Sequence, residues 1–148
     1  MSRPILELDR IVTQFKSPKR FLARASAPVT AVNDVSLKLQ EGEVLGLVGE
    51  SGCGKSTLAK TILGLYREVS GDIVLNGREV SGVDPRRARQ LRGDIQYVHQ
   101  DPGAALDPWW RVGGILNESL RIFGVADPKE RDRRIDEMLE AVGLASSF

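Results

Sequence analysis

The chain has 148 residues, 41% of them apolar and 28% charged, with a formal net charge of +1, a size and composition suited to one domain with a buried core and not to a disordered chain. The near-neutral balance gives no electrostatic reason to expect nucleic-acid binding, and no apolar stretch approaches a bilayer span. The opening MSRPILELDR carries charges where a secretory leader is apolar, and the single cysteine, Cys53, excludes an internal disulfide framework, so the sequence reads as a soluble protein of a reducing cytoplasm.

Residues 5–15 (ILELDRIVTQF) partly alternate apolar and polar side chains, which predicts a half-exposed strand. The next segment, KSPKRFLARASAP (16–28), has Lys16, Lys19, Arg20 and Arg24, two prolines and no acid, and reads as a solvated basic loop. Residues 30–40 (TAVNDVSLKLQ) read as a second strand, followed by a turn at Glu41-Gly42. EVLGLVG (43–49) is a short apolar run of the kind that forms a strand covered on both faces. A glycine-rich stretch follows at once, and then Leu58, Ile62 and Leu65 recur at the spacing of one helical face across 55–66.

DIVLN (72–76) predicts a strand closed by the turn dipeptide Asn76-Gly77. Asp84 and Pro85 suit the N-cap and first position of a short basic helix through Arg92. IQYVHQ (95–100) is a compact strand candidate, and QDPGAALDP (100–108) has too many turn formers to be anything but loop. Residues 112–123 suit a helix, weakened by Gly113 and Gly114. The last helix has the clearest signals: Asp127 and Glu130 form a capping-box pattern, Pro128 takes the first position, and Gly143 ends it. Ile135, Met138, Leu139 and Val142 line one of its faces. The sequence contains no internal repeat or low-complexity tract.

GESGCGKST (49–57) fits G-x-x-x-x-G-K-[ST], with Gly49, Gly54, Lys55 and Ser56 at the fixed positions. Four such positions coincide by chance about 1% of the time in a chain of this size, and the context of apolar strand before and amphipathic helix after makes coincidence rarer still. The chemistry is phosphate binding. Gly49, Gly52 and Gly54 let the backbone take left-handed angles and approach a ligand closely. The N–H groups of the loop, from Glu50, Ser51, Gly52 and Cys53 onward, then form an anion nest that the helix N-terminus reinforces. Lys55 brings a full positive charge to the β- and γ-phosphates, Ser56 a hydroxyl for Mg²⁺, and Thr57 a donor for the α-phosphate. The Cys53 thiol is incidental to this role. His99, the only histidine, shows no acidic partner in sequence and reads as a strand-end packing residue.

Four segments carry a further resemblance: AVNDVSLKLQEGEVLGLVGESGCGKSTLAKTILGL, GDIVLNG, IQYVHQDPGAALDP and RIDEMLEAVGL. They resemble the ATP-binding subunits of ABC transporters, most closely those of oligopeptide and dipeptide importers, from about residue 5 to residue 148. The QDP-x-x-x-L-[DN]-P piece is the most group-specific. The resemblance implies an α/β fold, a P-loop NTPase core of ABC-ATPase type with an antiparallel β subdomain and the start of a helical subdomain. The chain would be the N-terminal part of one ATP-binding domain, with the β subdomain, P-loop and Q-loop strand in about 1–100 and the helical subdomain beginning at about 101–148. It also implies ATP and Mg²⁺ as ligands, with Gln100 as the Q-loop glutamine that reaches the metal and the γ-phosphate side. Phe15, at the end of the first strand, is the candidate for stacking on adenine.

Trp109 and Trp110, directly after the Q-loop, depart from the less bulky residues usual in the family; adjacent positions point different ways, so one is expected to dock on a transmembrane subunit while the other packs internally. The implied partners are transmembrane permease subunits and a second ATP-binding subunit, identical or not, without nucleic acid. The implied location is peripheral, on the cytoplasmic face of the cell membrane. The family's LSGGQ-type signature, its apolar strand ending in Asp-Glu and its switch histidine are not found in these residues. The expectation is therefore split: a full-length parent that hydrolyses ATP to drive uptake of peptides or similar small solutes, and a chain that alone binds ATP without turning it over. Its sheet should also have exposed edges. The competing readings are a non-transport ABC ATPase acting on DNA or the ribosome, a nucleotide-binding module without turnover and, weakest, a P-loop kinase or GTPase.

Overall fold

The first long element, β1 (Leu6–Phe15), is the organising strand of a four-stranded antiparallel sheet. Its neighbours are β2 (Val29–Leu39) on one side and β3 (Ser70–Leu75) on the other, and β4 (Arg78–Glu79) pairs with β3 to give the order β2-β1-β3-β4. The computed structural model describes residues 3–16, 27–82, 94–101, 103 and 106–144. Most of the basic segment 16–28 and the helix expected over 84–92 lie outside the described residues. The chain forms two compact units, residues 1–96 and 97–148.

Simple alternation does not hold along β1, because Asp9 and Arg10 are both exposed between buried Leu8 and Ile11. A bulge accounts for this: Arg10 is left-handed (φ 49°) where the pairing register to β2 shifts, and Asp34 on β2 is left-handed too (φ 53°). One extra residue on each strand restores the inward face at Ile11, Thr13 and Val32. The bulge also explains Gly71, whose φ is +90° and whose added Cβ would lie 2.4 Å from the Arg10 carbonyl oxygen. The hairpin β3–β4 turns at Asn76 (φ 47°) and Gly77 (φ 72°), the pair of left-handed residues a two-residue turn requires.

The buried face of the sheet carries Leu8, Ile11, Val32 and Ile73, which pack with Leu58 of helix α1 (Lys55–Ile62). Ile62, Leu37 and Val80 close the margins of that cluster. Thr13 and Thr61, both about 1% exposed, meet through their hydroxyls at 3.0 Å, and Thr61 also donates to the Thr57 carbonyl at 2.8 Å. Two buried hydroxyls are thereby satisfied at the seam of strand and helix.

Two strand expectations fail. Residues 43–49 and 95–100 have no regular hydrogen-bonded structure, and Val44 and Val48 are 96% and 94% exposed. A strand exists only through its ladder, and the four described strands pair with one another and leave these apolar runs without a neighbour. Their composition suits a buried strand, but among the described residues they are covered only in part, with Ile95 and Tyr97 half-buried and Leu45 and Leu47 about half exposed.

In the second unit, α2 (Val112–Ile122) and α3 (Pro128–Ala141) pack around Leu120, Ile135 and Leu139, with Val112, Leu116 and Val125 at the edge. The Arg131 guanidinium fastens their connection, donating to Asn117 Oδ1 (2.7 Å) and to the carbonyls of Val125 (2.8 Å) and Ala126 (2.7 Å). Met138 and Val142, expected on the apolar face, are largely exposed, since α2 reaches only the Ile135–Leu139 stripe. The three described helices end alike: left-handed Gly64, Gly124 and Gly143 each donate back in the Schellman pattern, as from Gly143 to Glu140 (3.0 Å) and Leu144 to Leu139 (2.9 Å).

Asp127 caps α3 as expected, accepting from the Lys129 N–H at 3.1 Å. The reciprocal half of the capping box is replaced: the Glu130 carboxylate accepts from Arg133 and Arg134, each at 2.7 Å, and Arg133 also bonds Glu137. The hydrogen bond from Arg133, then that from Arg134, lowers the Glu130 pKa from 4.5 to about 2. A lowered folded-state pKa stabilises the helix above the unfolded value and the benefit disappears as pH falls through the folded one. Helical circular dichroism is therefore expected to decline as pH drops from 4.5 towards 2, with Glu130→Gln weakening that part of the acid response.

Candidate functional site

After β2 the chain turns at Gly42 (φ 74°), where Gln40 donates its N–H to the Glu43 carboxylate at 2.7 Å. It then runs through 43–48 into the loop that precedes α1. Gly52 (φ 84°) and Gly54 (φ 101°) are left-handed, as their place in the motif requires, and Cys53 donates its N–H to the Glu50 carbonyl at 3.3 Å. Gly49 is not left-handed, contrary to expectation. Its smallness matters for another reason, because a Cβ there would stand 2.7 Å from Cys53 Sγ.

Lys55 closes the loop. Its Nζ donates to the carbonyls of Gly49 (2.6 Å) and Glu50 (2.7 Å), with Cys53 Sγ at 3.5 Å. All three ammonium protons thus have loop acceptors, which holds the charge inside the curl of the backbone. The helix end is open. Gly54 is the N-cap of α1, no side chain caps it, and the first turn contains no acid. The first-turn N–H groups and the positive end of the helix dipole have no side-chain anion of their own, a configuration that favours binding one from outside.

Ser56 is exposed on that first turn and Thr57 is half-buried, while Leu58 behind them anchors the helix in the core. Gly54 is pressed against β2, so that a Cβ would come within 2.2 Å of the Ala31 carbonyl oxygen. The loop, Ser56, Thr57 and Phe15 all belong to the first unit. Phe15 is 37% exposed and meets Tyr66 edge-on, ring centroids 5.0 Å apart at 88°. Sequence reasoning missed Tyr66, Ala31 and the Thr13–Thr61 bond, because each contact joins segments distant in the chain.

Gln100 belongs to the second unit, exposed in a bend rather than at a strand end. His99 is exposed too, its ring edge-on to Tyr97 with centroids 4.7 Å apart. Neither tryptophan is internal: Trp109 is 92% exposed and Trp110 55%, where one was expected to pack. Asp107 arranges them by accepting the Trp109 N–H on its side chain (2.9 Å) and the Trp110 N–H on its carbonyl (3.1 Å). Among the described residues no group of three or more His, Cys, Asp or Glu converges to hold a metal, and no helix is long and apolar enough to cross a membrane.

A left-handed glycine loop that wraps a lysine and opens an uncapped helix recurs in several protein families, and comparison with known proteins separates them. Residues 32–147 match the family described as ABC transporter. The chain belongs to that family. It is 41% identical over 141 residues to the glutathione import ATP-binding protein GsiA of Escherichia coli O6:H1 (strain CFT073), a match covering 95% of this chain and 23% of GsiA. The chain therefore spans less than a quarter of that relative's length.

Among solved structures the ABC fold recurs in the dimeric structure of MJ0796, described as a bacterial ABC transporter cassette (TM-score 0.73, 25% identity). That match covers 91% of this chain and 56% of MJ0796. A second dimeric structure of MJ0796, a post-hydrolysis state bound to ADP and Pi, matches equally well. The fold is thus an α/β ABC-ATPase fold, of which the antiparallel sheet, the loop with α1 and the α2–α3 pair are described here. The ABC match begins just past the start of β2, so Phe15 lies before it.

Proposed function

We propose that this chain forms the nucleotide-binding front part of an ABC importer subunit that couples ATP binding and hydrolysis to uptake of peptides or similar small solutes. The observation that carries this reading is the uncapped N-terminus of α1 under a loop closed by Lys55. In this reading Lys55 turns from its carbonyl acceptors towards the β- and γ-phosphates, and the N–H groups from Glu50 to Thr57 line the remaining oxygens. The Ser56 hydroxyl, exposed beside them, is a ligand for Mg²⁺, which neutralises phosphate charge when bound. Phe15 offers its ring to adenine, and Gln100 takes the part of the Q-loop glutamine.

The domain assignment follows: the β subdomain with P-loop and Q-loop in about 1–100, and the beginning of a helical subdomain from about 101. Permease subunits, a second ATP-binding subunit and a place on the cytoplasmic face of the membrane belong to the same reading. Similarity to a glutathione importer supports the solute class. Exposed Trp109 and Trp110 supply the bulky, amphipathic surface that a docking face uses.

Turnover is assigned to a protein that carries the family's further motifs as well as these residues. In these residues no apolar run ends in Asp-Glu, so the loop can position phosphate without general-base help. The isolated chain is expected to bind Mg-ATP and release no phosphate above background. A longer protein containing it is expected to hydrolyse ATP and to lose that activity on Lys55→Ala. Metal-dependent turnover by the isolated chain, abolished by Lys55→Ala, would contradict this division.

A further inference from the structure

Phe15 and the phosphate loop share one edge of the first unit. Phe15 pairs in register with Val29, and two residues further along β2 the Ala31 carbonyl abuts Gly54. The strand end that carries the ring therefore runs into the wall of the loop. A partly exposed aromatic ring gives a base a surface only if it is held in place, because an unrestrained side chain gives up rotamer entropy when a ligand binds it.

The restraint comes from the other end of α1. Left-handed Gly64 (φ 68°) reverses the chain by donating to the Thr61 carbonyl at 2.8 Å, and Leu65 donates to Lys60 at 2.9 Å. This places Tyr66 against Phe15 as a T-shaped pair, with Lys60 Nζ 5.7 Å from the Tyr66 ring centroid. A T-shaped partner occupies at most one face of the Phe15 ring, and Phe15 keeps 37% of its surface exposed beside that contact. The buried Thr13–Thr61 bond ties β1 to the same helix two residues before Phe15. One helix thus bears the phosphate cradle at its start and the brace for the ring at its end.

We infer that Tyr66 is a positioning residue that holds Phe15 for stacking on the nucleotide base, without touching the phosphates. This rests on the nucleotide reading above, and two ligands separate the two claims: Mg-ATP, which has a base, and Mg-tripolyphosphate, which has none. An aromatic pair of this kind contributes about twofold to tenfold in affinity.

In NMR titrations of the chain, Tyr66→Leu is expected to weaken Mg-ATP binding by about that factor and to leave tripolyphosphate unchanged, which also shows the variant folded. Tyr66→Phe retains the ring and is expected to match wild type. Equal weakening of both ligands by Tyr66→Leu would make Tyr66 a structural residue only, and no weakening of either would remove it from the site; each overturns the inference. If Phe15→Ala leaves ATP binding unchanged while tripolyphosphate still binds, base stacking falls and the phosphate site stands. If wild type binds neither ligand, the nucleotide reading itself falls and takes this inference with it.

Discussion

Lys55→Ala is expected to weaken Mg-ATP binding to this chain by about tenfold to hundredfold, the worth of a lost charge-assisted hydrogen bond. Two losses combine. The cation that meets the β- and γ-phosphates disappears, and so do the ties from Nζ to Gly49 and Glu50 that give the loop its curl. Lys55→Arg is not a conservative control, because a planar guanidinium cannot converge on three acceptors within one tight loop as an ammonium does. It is expected to fail nearly as badly. Thermal unfolding of both variants should stay close to wild type, since Lys55 takes no part in the core around Leu58. Binding lost with the fold intact is the expected signature, read by titration and calorimetry side by side.

Gly54→Ala is expected to have the opposite signature, losing fold and binding together. At φ 101° an L-residue is strained, and its Cβ would lie 2.2 Å from the Ala31 carbonyl, a backbone atom held in the sheet. Relief requires moving β2 or the start of α1, and both bear on the Val32–Leu58 core. A cost of about 3 kcal/mol follows from strain plus displacement, which lowers the melting temperature by about 10 °C in a chain of this size. Gly52→Ala is the control. It is also left-handed, at φ 84°, but nothing lies within 4 Å of the added Cβ. Only the backbone strain of about 1–2 kcal/mol remains, so Gly52→Ala should melt well above Gly54→Ala. Equal melting temperatures would show that Ala31 does not wall the loop.

The contrast between those two glycines marks how far the sequence could be read. The motif identified both as left-handed, because spacing in a P-loop is a local property. It could not distinguish a glycine in open space from one pressed on a neighbouring strand, and it misjudged Gly49, which is small to admit Cys53. Strands β1, β2 and β3, the Asn76-Gly77 turn, the Asp127 cap and the Gly143 stop were legible for the same local reason. The apolar run 43–49 was misread because a strand depends on partners, and composition reports only the wish to be covered. β4, two residues long and both charged, left no pattern to find. Glu130 was predicted to cap the helix and instead serves Arg133 and Arg134, neighbours one turn away that a capping rule does not weigh. Within the candidate site, the chemistry of Lys55 and Ser56 was readable and the bracing of Phe15 by Tyr66 was not, since 51 residues of chain separate the two rings.

The most direct test of the central claim is an amide-resolved NMR titration of the isotopically labelled chain with Mg-ATP. The N–H signals of residues 50–57 are expected to shift first and furthest, the same signals to respond to tripolyphosphate, and Lys55→Ala to move both responses to about tenfold to hundredfold higher ligand concentration. If ATP instead moves signals elsewhere while those of residues 50–57 stay in place, the loop and the open end of α1 are not where this chain holds phosphate, and the account is wrong.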